Sequence, residues 1–310
     1  DPIHADMGIL AIGVAPDAKL AGEAGIKLGI KGSIVVNERM ETSIPDIYAV
    51  GDAVQIKNAV SGEEDLISLA GPANKQGRIA ADNICGGNSS YSGAQGSSVI
   101  KVFDMTAATT GLNEKRAKKL GIDTDKVILS PMSHAGYYPG GKVMTMKVLF
   151  EKETNRLLGA QVVGYEGVDK RIDVLATAIH AGMKATDLKE LDLAYAPPYS
   201  SAKDPVAVAG YVAENIITGK VQPVYWRQLR DIEMENNFLL DVRTPDEFSL
   251  NTLPGAVNIP LDELRDRLDE LPKDKMIYTF CAVGLRGYLA YRILVPVSYT
   301  HLTLPTTSRV

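Results

Sequence analysis

The sequence predicts a multidomain protein of the α/β and α+β classes, from three patterns along its 310 residues. Short apolar runs that end at a glycine, such as residues 47–50 before Gly51, are typical of buried strands in an α/β sheet. An alternating run at residues 142–150 predicts a half-buried strand of an antiparallel sheet. A third apolar run, residues 276–280, leads through a turn into a helical run, as in a sheet with crossover helices.

Composition excludes several classes of function. The chain is 45% hydrophobic and 23% charged, which is ordinary for a globular protein. A net charge of -5 argues against nucleic acid as a partner. No apolar run is long enough to span a membrane, and the four histidines make no metal-ligand spacing. Two cysteines far apart, Cys85 and Cys281, indicate a reducing, cytoplasmic location.

The first region has the pattern of a partial α/β domain. Residues 7–14 and 47–50 are predicted to be buried strands, and residues 33–37 a short strand. Residues 67–84 have the periodicity of a helix. Residues 86–96 are rich in glycine and serine and are predicted to be a linker.

The middle region has the pattern of antiparallel strands with helices on one face. Asp204 and Pro205 suit the N-cap and first turn of a helix. Residues 221–224 are predicted to be a linker to the next domain. The predicted strands are 99–103, 106–111, 126–129, 142–150 and 157–164, and the predicted helices are 113–120, 169–181 and 204–218.

The last region places Cys281 at a strand-to-helix turn. Backbone amides at such a turn stabilise an anion, and Arg286 adds positive charge, so we expect Cys281 to be a reactive thiol. The alternative is a buried cysteine that acts as a small hydrophobe. Residues 295–310 lack helical or alternating periodicity and are expected to lie outside the fold, as a non-native tail.

Three motifs around Cys281 resemble those of rhodanese-type sulfurtransferases. The loop of residues 281–287 is similar to that family's C-x-x-G-x-R pattern, and residues 238–248 and 253–260 resemble its two upstream motifs. Residues 250–253 depart from the Gly-His-Ile that the family usually has there. The resemblance implies that Cys281 carries a persulfide sulfur, that Arg286 belongs to the site, and that loop amides hold the anion.

A second group of motifs resembles the pyridine nucleotide-disulfide oxidoreductases. Residues 42–52 resemble the family's second FAD-contacting segment, T-x-x-x-x-[IV]-[YF]-A-x-G-D. A glycine there allows close approach of the cofactor, and the acidic side chain can accept a hydrogen bond from a ribityl hydroxyl. Residues 69–78 resemble the helix whose N-terminus faces the flavin. The implied cofactors are FAD and NAD(P)H, and the cofactor-binding residues are Gly51, Asp52, Ala70 and Asn74.

Residues 98–220 resemble the domain that pairs two subunits in that family, which implies a homodimer. Two stretches, residues 134–141 and 194–205, are similar to the branch that contains coenzyme A disulfide reductases, NADH oxidases and persulfide reductases. In that branch tyrosines reach the partner subunit's active site. The candidates are Tyr137 or Tyr138 together with Tyr195 or Tyr199, and packing at an interface is the equally weighted alternative.

Together these resemblances divide the chain into four parts: a partial FAD/NAD(P)-binding domain (1–97), a dimerisation domain (98–222), a truncated rhodanese-like domain (223–294) and the tail (295–310). We expect the C-terminal part of an oxidoreductase that acts on coenzyme A disulfide, persulfide or polysulfide as small-molecule substrate, with its redox cysteine elsewhere. The alternative is a non-catalytic dimerisation and sulfur-carrier module. The sequence leaves open NADH against NADPH, and the sulfur donor and acceptor.

Overall fold

The computed structural model describes residues 4–229, 233–297 and 302–306. The chain divides into two compact units, one ending at Gly96 and the other beginning at Ser97. Within the described ranges, no helix is both long and apolar enough to cross a bilayer.

The first unit has little regular structure around a small core. Helix α2 matches the helix predicted at residues 67–84 and buries Gln76, Ala80 and Asn83. Its elements are α1 (Lys19–Glu23), β1 (Ile56–Lys57), β2 (Glu64–Asp65) and α2 (Ala70–Ile84). The core consists of Ala18, Ile34, Met40, Val54, Ile56, Ala80 and Tyr91.

The strands predicted in this unit are corrected by the structure. Residues 7–14 pair with no strand, and their large apolar side chains are each at least 78% exposed. Residues 33–37 and 47–50 make only isolated bridges, at Ile34 and Tyr48. An apolar run becomes a strand only where its backbone groups pair in a continuous ladder, and here the backbone hydrogen bonds of residues 33–37 and 47–50 go to turns and isolated bridges.

The second unit begins with a five-stranded antiparallel sheet, in the order β3-β4-β7-β6-β5. Helix α4 packs on β4 and β7, as predicted for helices on one face. The elements are β3 (Ser98–Val102), β4 (Met105–Gly111), α3 (Glu114–Lys119), β5 (Thr124–Leu129), β6 (Thr145–Glu151), β7 (Leu157–Gly164), α4 (Val168–His180) and α5 (Pro205–Ile217). A 3-10 helix, Ala185–Glu190, precedes α5.

Strand β6 carries the alternation that the sequence predicted, up to a bulge. Met146 and Val148 are buried, while Thr145 is exposed and Lys147 is half-buried. The register shifts between Leu149 and Phe150, and both are buried. A bulge re-aims a side chain, so two successive apolar residues can face the core.

A parallel sheet follows, in the order β10-β9-β11-β12-β8. Its core includes Leu240, Ile277, Cys281, Ala290 and Leu294. The elements are β8 (Pro223–Tyr225), α6 (Trp226–Leu229), β9 (Asn237–Asp241), α7 (Pro245–Leu250), β10 (Val257–Asn258), β11 (Met276–Phe280), α8 (Leu285–Leu294) and β12 (Leu302–Thr306).

Two sequence predictions about this sheet are corrected. Residues 221–224 are not a plain linker, because Val221 belongs to the core and Pro223–Tyr225 forms β8. Residues 295–310 were expected outside the fold, yet Leu302–Thr306 lies between β11 and β8 as a parallel strand. Residues 298–301 and 307–310 lie outside the described residues.

Tyr225 joins the two sheets of this unit. Its hydroxyl donates a hydrogen bond to the Lys126 carbonyl on β5 at 2.6 Å. The Lys126 ammonium lies 4.1 Å from the centre of the Tyr225 ring. Burial raises the pKa of Tyr225 well above its ordinary value, so the phenol stays protonated at this joint.

Candidate functional site

Cys281 lies between the end of β11 and the start of α8. Gly284 adopts a φ of +97° as the N-cap of α8, a conformation that favours glycine and turns the chain back toward the sulfur. The amides of Gly284 and Gly287 donate to the Cys281 Sγ at 3.2 and 3.4 Å. Because donors at a helix start stabilise negative charge, this turn is suited to hold a thiolate or a persulfide anion.

Arg286 is held by a carboxylate from α7. Its Nη1 and Nη2 donate to the two carboxylate oxygens of Glu247 at 2.6 and 2.7 Å. The contact lowers the pKa of Glu247 to about 2, so this carboxylate is ionised at neutral pH. The pKa of Arg286 is raised, mainly by Glu247 and to a smaller extent by the Cys281 sulfur. The guanidinium therefore faces both a carboxylate and the sulfur.

The orientation of Glu247 follows from local sequence. Thr244 caps α7, with its Oγ1 accepting from the Glu247 amide at 3.3 Å. The Glu247 carboxylate accepts from the Thr244 amide at 3.1 Å. This reciprocal capping box, with Pro245 in the first turn, fixes the carboxylate at the helix start.

A second ion pair supports the strand that lies beside β11. Asp241, fully buried at the end of β9, accepts two hydrogen bonds from the Arg243 Nε and one from its Nη2, at 2.6 to 3.1 Å. Thr252 donates to the same carboxylate at 2.8 Å. A buried carboxylate with this many donors has its charge satisfied and fixes the backbone near the sulfur.

The cysteine that is expected to react is buried, and the cysteine that is expected to be inert is exposed. Cys281 is 3% exposed, whereas Cys85, which follows α2, is exposed. Solvent exposure therefore does not explain the difference in reactivity that we expect between the two thiols. The amides around Cys281 are what distinguish it.

The four candidate tyrosines separate into one pair and two single residues. The hydroxyls of Tyr137 and Tyr195 lie 2.8 Å apart. The ring of Tyr138 instead packs edge-on against His134, and Tyr199 is 72% exposed. The hydrogen bond with Tyr137 raises the pKa of Tyr195, so the Tyr195 hydroxyl stays protonated at neutral pH.

A buried arginine holds the two segments that carry these tyrosines. Arg171 on α4 is 1% exposed, and its Nη2 donates to the Ser133 carbonyl at 3.0 Å and to the Tyr199 carbonyl at 3.4 Å. The same nitrogen donates to Asp204 at 3.0 Å. Arg171 therefore ties α4 to the chain before Tyr137 and after Tyr195.

A cavity of about 480 Å³ lies beside the tyrosine pair. Its lining combines apolar, phenolic and charged groups, including His134, Lys170, Arg171, Tyr195 and Tyr199. Such a mixture suits a small organic ligand with a polar end.

In the first unit, the predicted flavin segment is a turn rather than a strand end. Gly51 has a φ of +85°, and its amide donates to the buried Gln76 side chain on α2 at 2.7 Å. Asp52 is exposed, and no described residue donates a hydrogen bond to its carboxylate. Asn74 donates to the Ala70 carbonyl at 2.9 Å, and no side chain caps the start of α2. An open carboxylate and an uncapped helix start fit the hydroxyls and anionic groups of FAD.

Sequence reasoning assigned no role to Glu247 or Arg171. Glu247 could have been found from its place three residues after Thr244, which is the capping-box spacing. Arg171 could have been suspected as a charged residue among the apolar positions of an amphipathic helix. The partners of its Nη2 lie 28 to 38 residues away along the chain, so no local pattern identifies them.

Three family models match the chain. Residues 1–77 match the pyridine nucleotide-disulphide oxidoreductase model, and residues 97–206 match the dimerisation domain of the same proteins. Residues 225–304 match the rhodanese-like domain.

Similar proteins include reductases of sulfur compounds. The NAD(P)H sulfur oxidoreductase (CoA-dependent) of Pyrococcus furiosus is 40% identical over 208 residues, which are 67% of this chain and 47% of that protein. Coenzyme A disulfide reductase of Staphylococcus aureus is 36% identical over 212 residues, 68% of this chain and 48% of that protein. The chain spans about half the length of the curated relatives it matches.

Two solved structures resemble nearly the whole chain. The reduced CoADR-RHD of Bacillus anthracis is 50% identical with a TM-score of 0.93, over 98% of this chain and 55% of that one. An NAD-dependent persulfide reductase from A. fulgidus is 42% identical with a TM-score of 0.88, over 96% of this chain and 53% of that one. On its matched domains and these likenesses, the chain belongs to the pyridine nucleotide-disulphide oxidoreductases and carries a rhodanese-like domain after the dimerisation domain.

Proposed function

We propose that this chain is part of an FAD-dependent NAD(P)H oxidoreductase acting on coenzyme A disulfide, persulfide or polysulfide, with Cys281 as its persulfide carrier. The observation that carries the proposal is the buried Cys281 sulfur with two amide donors at 3.2 and 3.4 Å. The relatives named as sulfur oxidoreductase and coenzyme A disulfide reductase support the same chemistry.

The transfer step needs no other group than the thiol and its donor. The Cys281 thiolate attacks the outer sulfur of a persulfide, R–S–SH, and a new S–S bond forms as the donor's own S–S bond breaks. The donor leaves as the thiolate R–S⁻, and Cys281 holds the sulfur as Cys–S–SH. Loss of the proton gives a persulfide anion, which the amides of Gly284 and Gly287 would stabilise.

The reductive half would use cofactors held partly by the first unit. FAD bound there would supply the redox chemistry that links NAD(P)H to a thiol–disulfide centre. Asp52 would accept a hydrogen bond from a cofactor hydroxyl, and the turn at Gly51 would allow close approach. The uncapped start of α2, with Ala70 and Asn74, would face an electron-rich group.

Tyr137 and Tyr195 would act at the sulfur centre of a partner subunit, as the family resemblance implies. Their paired hydroxyls, 2.8 Å apart, could donate a hydrogen bond to a thiolate. Tyr138 and Tyr199 would have packing roles, because neither is hydrogen-bonded to this pair within the described chain.

A homodimer would bring these tyrosines to the partner. The hairpin of β3 and β4 exposes apolar side chains, among them Val99, Ile100 and Phe103 at 58, 59 and 94%. A stable interface of this kind buries more than roughly 2,000 Å² in total. Light scattering at micromolar concentration should give the mass of two chains, and a monomer would contradict the assignment.

The carrier role is tested by sulfur loading of the purified, reduced chain. Incubation with a small alkyl persulfide, followed by mass spectrometry of peptides, should add one sulfur atom to Cys281. Failure to load Cys281 in the folded chain would overturn the carrier role.

The alternative is a dimerisation and sulfur-carrier module without reductase chemistry. It is favoured by the completeness of the Cys281 turn beside the few flavin-facing residues of the first unit. Flavin absorbance of the purified chain separates the two. Stoichiometric flavin would favour the reductase, whereas weak or absent flavin with normal sulfur loading would favour the module.

A further inference from the structure

We propose that Glu247 sets the donor specificity of Cys281, because it neutralises Arg286 and so favours aliphatic persulfides over the dianion thiosulfate. This inference rests on the carrier role proposed above. It adds a specificity-determining residue that acts through Arg286 and is not itself a catalytic residue.

The charges near the sulfur cancel in pairs. Arg286 makes two hydrogen bonds to Glu247, and Arg243 is bound by Asp241 in the same manner. Local structure holds both carboxylates in place. Glu247 belongs to the capping box of α7, and Asp241 is fully buried. The two guanidinium groups therefore bring no net charge to the site.

The remaining side chains of the loop are apolar. Between Cys281 and Arg286 stand Ala282, Val283, Gly284 and Leu285. Val283 is 37% exposed and Leu285 is 64% exposed. These side chains offer neither hydrogen-bond donors nor positive charge, but they offer a surface against which a hydrocarbon chain can pack.

The backbone amides cannot provide the selectivity for an aliphatic persulfide over thiosulfate. The amides of Gly284 and Gly287 point at the Cys281 sulfur, which is the accepting atom whichever donor arrives. Discrimination must come from groups that meet the rest of the donor. Thiosulfate brings a second charge and three oxygens, for which charged donors give the strong contacts. An aliphatic persulfide brings at most one charge, on the transferred sulfur, and an apolar chain.

The wild-type chain gives the first test. Loading of Cys281 is measured by mass spectrometry with two probes, sodium thiosulfate and the short-chain N-acetylcysteamine persulfide. We expect the persulfide to load Cys281 at least about tenfold faster than thiosulfate. A tenfold ratio corresponds to the same free-energy difference as a shift of one pKa unit. Equal rates would overturn the inference, and loading by neither probe would overturn the carrier role itself.

The variant Glu247→Gln gives the second test. It removes the charge and retains an oxygen that can accept from the Thr244 amide. We expect thiosulfate loading to rise about tenfold relative to persulfide loading, and this gain to shrink at high salt, which screens the freed Arg286. An unchanged ratio in a variant whose circular dichroism matches the wild type would contradict the proposal.

Asp246→Asn is the matched control. Asp246 is the preceding residue on α7, is exposed, and makes no side-chain contact with Arg286. The substitution changes the net charge by the same amount as Glu247→Gln. The donor ratio should stay at the wild-type value, and an equal rise in both variants would assign the effect to net charge and overturn the role of Glu247.

Discussion

The Cys281 turn and the Tyr137–Tyr195 pair belong to the same compact unit but are built in different ways. The reactive residue of the first, Cys281, is 3% exposed, and its sulfur accepts from backbone amides at most six residues away. The hydroxyls of the second belong to side chains that are 77 and 47% exposed, and they are held by each other. The first site is enclosed by its own loop, and the second presents its groups outward.

The difference lies in what supports each site. Short-range contacts fix the Cys281 turn, since Gly284 needs only its own positive φ to aim its amide at the sulfur. The tyrosine segments depend on Arg171, which reaches 38 residues back to Ser133 and 33 forward to Asp204. A site held by contacts close in sequence should keep its geometry when residues elsewhere are changed. A site held by one residue that is distant in sequence should lose its geometry when that residue is replaced.

The largest expected effect is on sulfur loading. Cys281→Ser should abolish loading by an alkyl persulfide, because a hydroxyl does not replace the thiolate as nucleophile. Cys85→Ser should leave loading unchanged, although Cys85 is the exposed cysteine. Peptide mass spectrometry measures sulfur loading in both variants. Loss of loading in Cys85→Ser, with loading retained in Cys281→Ser, would refute the assignment of Cys281 as the reactive thiol.

Removal of Arg171 should damage the tyrosine site most. Arg171→Met leaves the Asp204 carboxylate, 7% exposed, without its buried partner. Breaking a buried pair in this way costs about 3–5 kcal/mol. Urea denaturation should show that loss in the unfolding free energy of the second unit.

Lys170→Met is the control for Arg171. Lys170 is the adjacent residue, but its ammonium lies 3.9 Å from Asp204 and its side chain is 35% exposed. A partly exposed pair contributes at most about 1 kcal/mol. Equal losses for the two variants would show that the distant support assigned to Arg171 is wrong.

The tyrosine pair can be tested without the rest of an enzyme. In Tyr137→Phe the hydrogen bond that raises the pKa of Tyr195 is lost, so this pKa should fall toward its ordinary value. Tyr138→Phe should leave it unchanged, because the Tyr138 ring contacts His134 instead. NMR titration of ¹³C-labelled tyrosine measures both variants. An unshifted pKa in Tyr137→Phe would mean that the two hydroxyls do not interact in solution.

The same contrast explains what the sequence could predict. The Cys281 turn follows from a strand-like run, a glycine and an arginine that lie close together, and the resemblance to rhodanese motifs covers the same residues. Which of the four candidate tyrosines are hydrogen-bonded to each other depends on side-chain distances across 58 residues, here between Tyr137 and Tyr195. Sequence spacing does not provide those distances.

The errors also have physical causes. Residues 7–14 have the composition of a buried strand, but burial depends on a partner surface, and these side chains are exposed. Arg286 carries the positive charge that was expected of it, but the sequence did not show that Glu247, 39 residues upstream, pairs with that charge. In both cases the sequence indicates a local tendency, to form a buried strand or to supply a positive charge. The residues that contact the segment in the fold determine the burial and the net charge that result.

The smallest expected effect concerns the joint that Tyr225 makes between the two sheets of the second unit. Glu114 at the start of α3 accepts from Lys126 at 2.6 Å and also from Lys147, and Lys126 in turn covers the Tyr225 ring. Burial would raise the pKa of Glu114, but the two lysines outweigh it and lower that pKa from 4.5 to about 2. The side chain of Glu114 is 44% exposed, so we expect the cluster to contribute about 1 kcal/mol or less.

The pH dependence of this contribution has a definite sign. A carboxylate whose pKa is lower in the folded state stabilises the fold above its unfolded pKa and loses that effect as the pH falls through the folded pKa. The difference in unfolding free energy between wild type and Glu114→Gln should therefore be constant above pH 4.5 and vanish near pH 2. Urea denaturation at several pH values measures it, with the exposed Glu153→Gln as the variant that should show no such difference. A difference for Glu114→Gln that persists at pH 2 would mean that packing, and not charge, stabilises the joint between the two sheets.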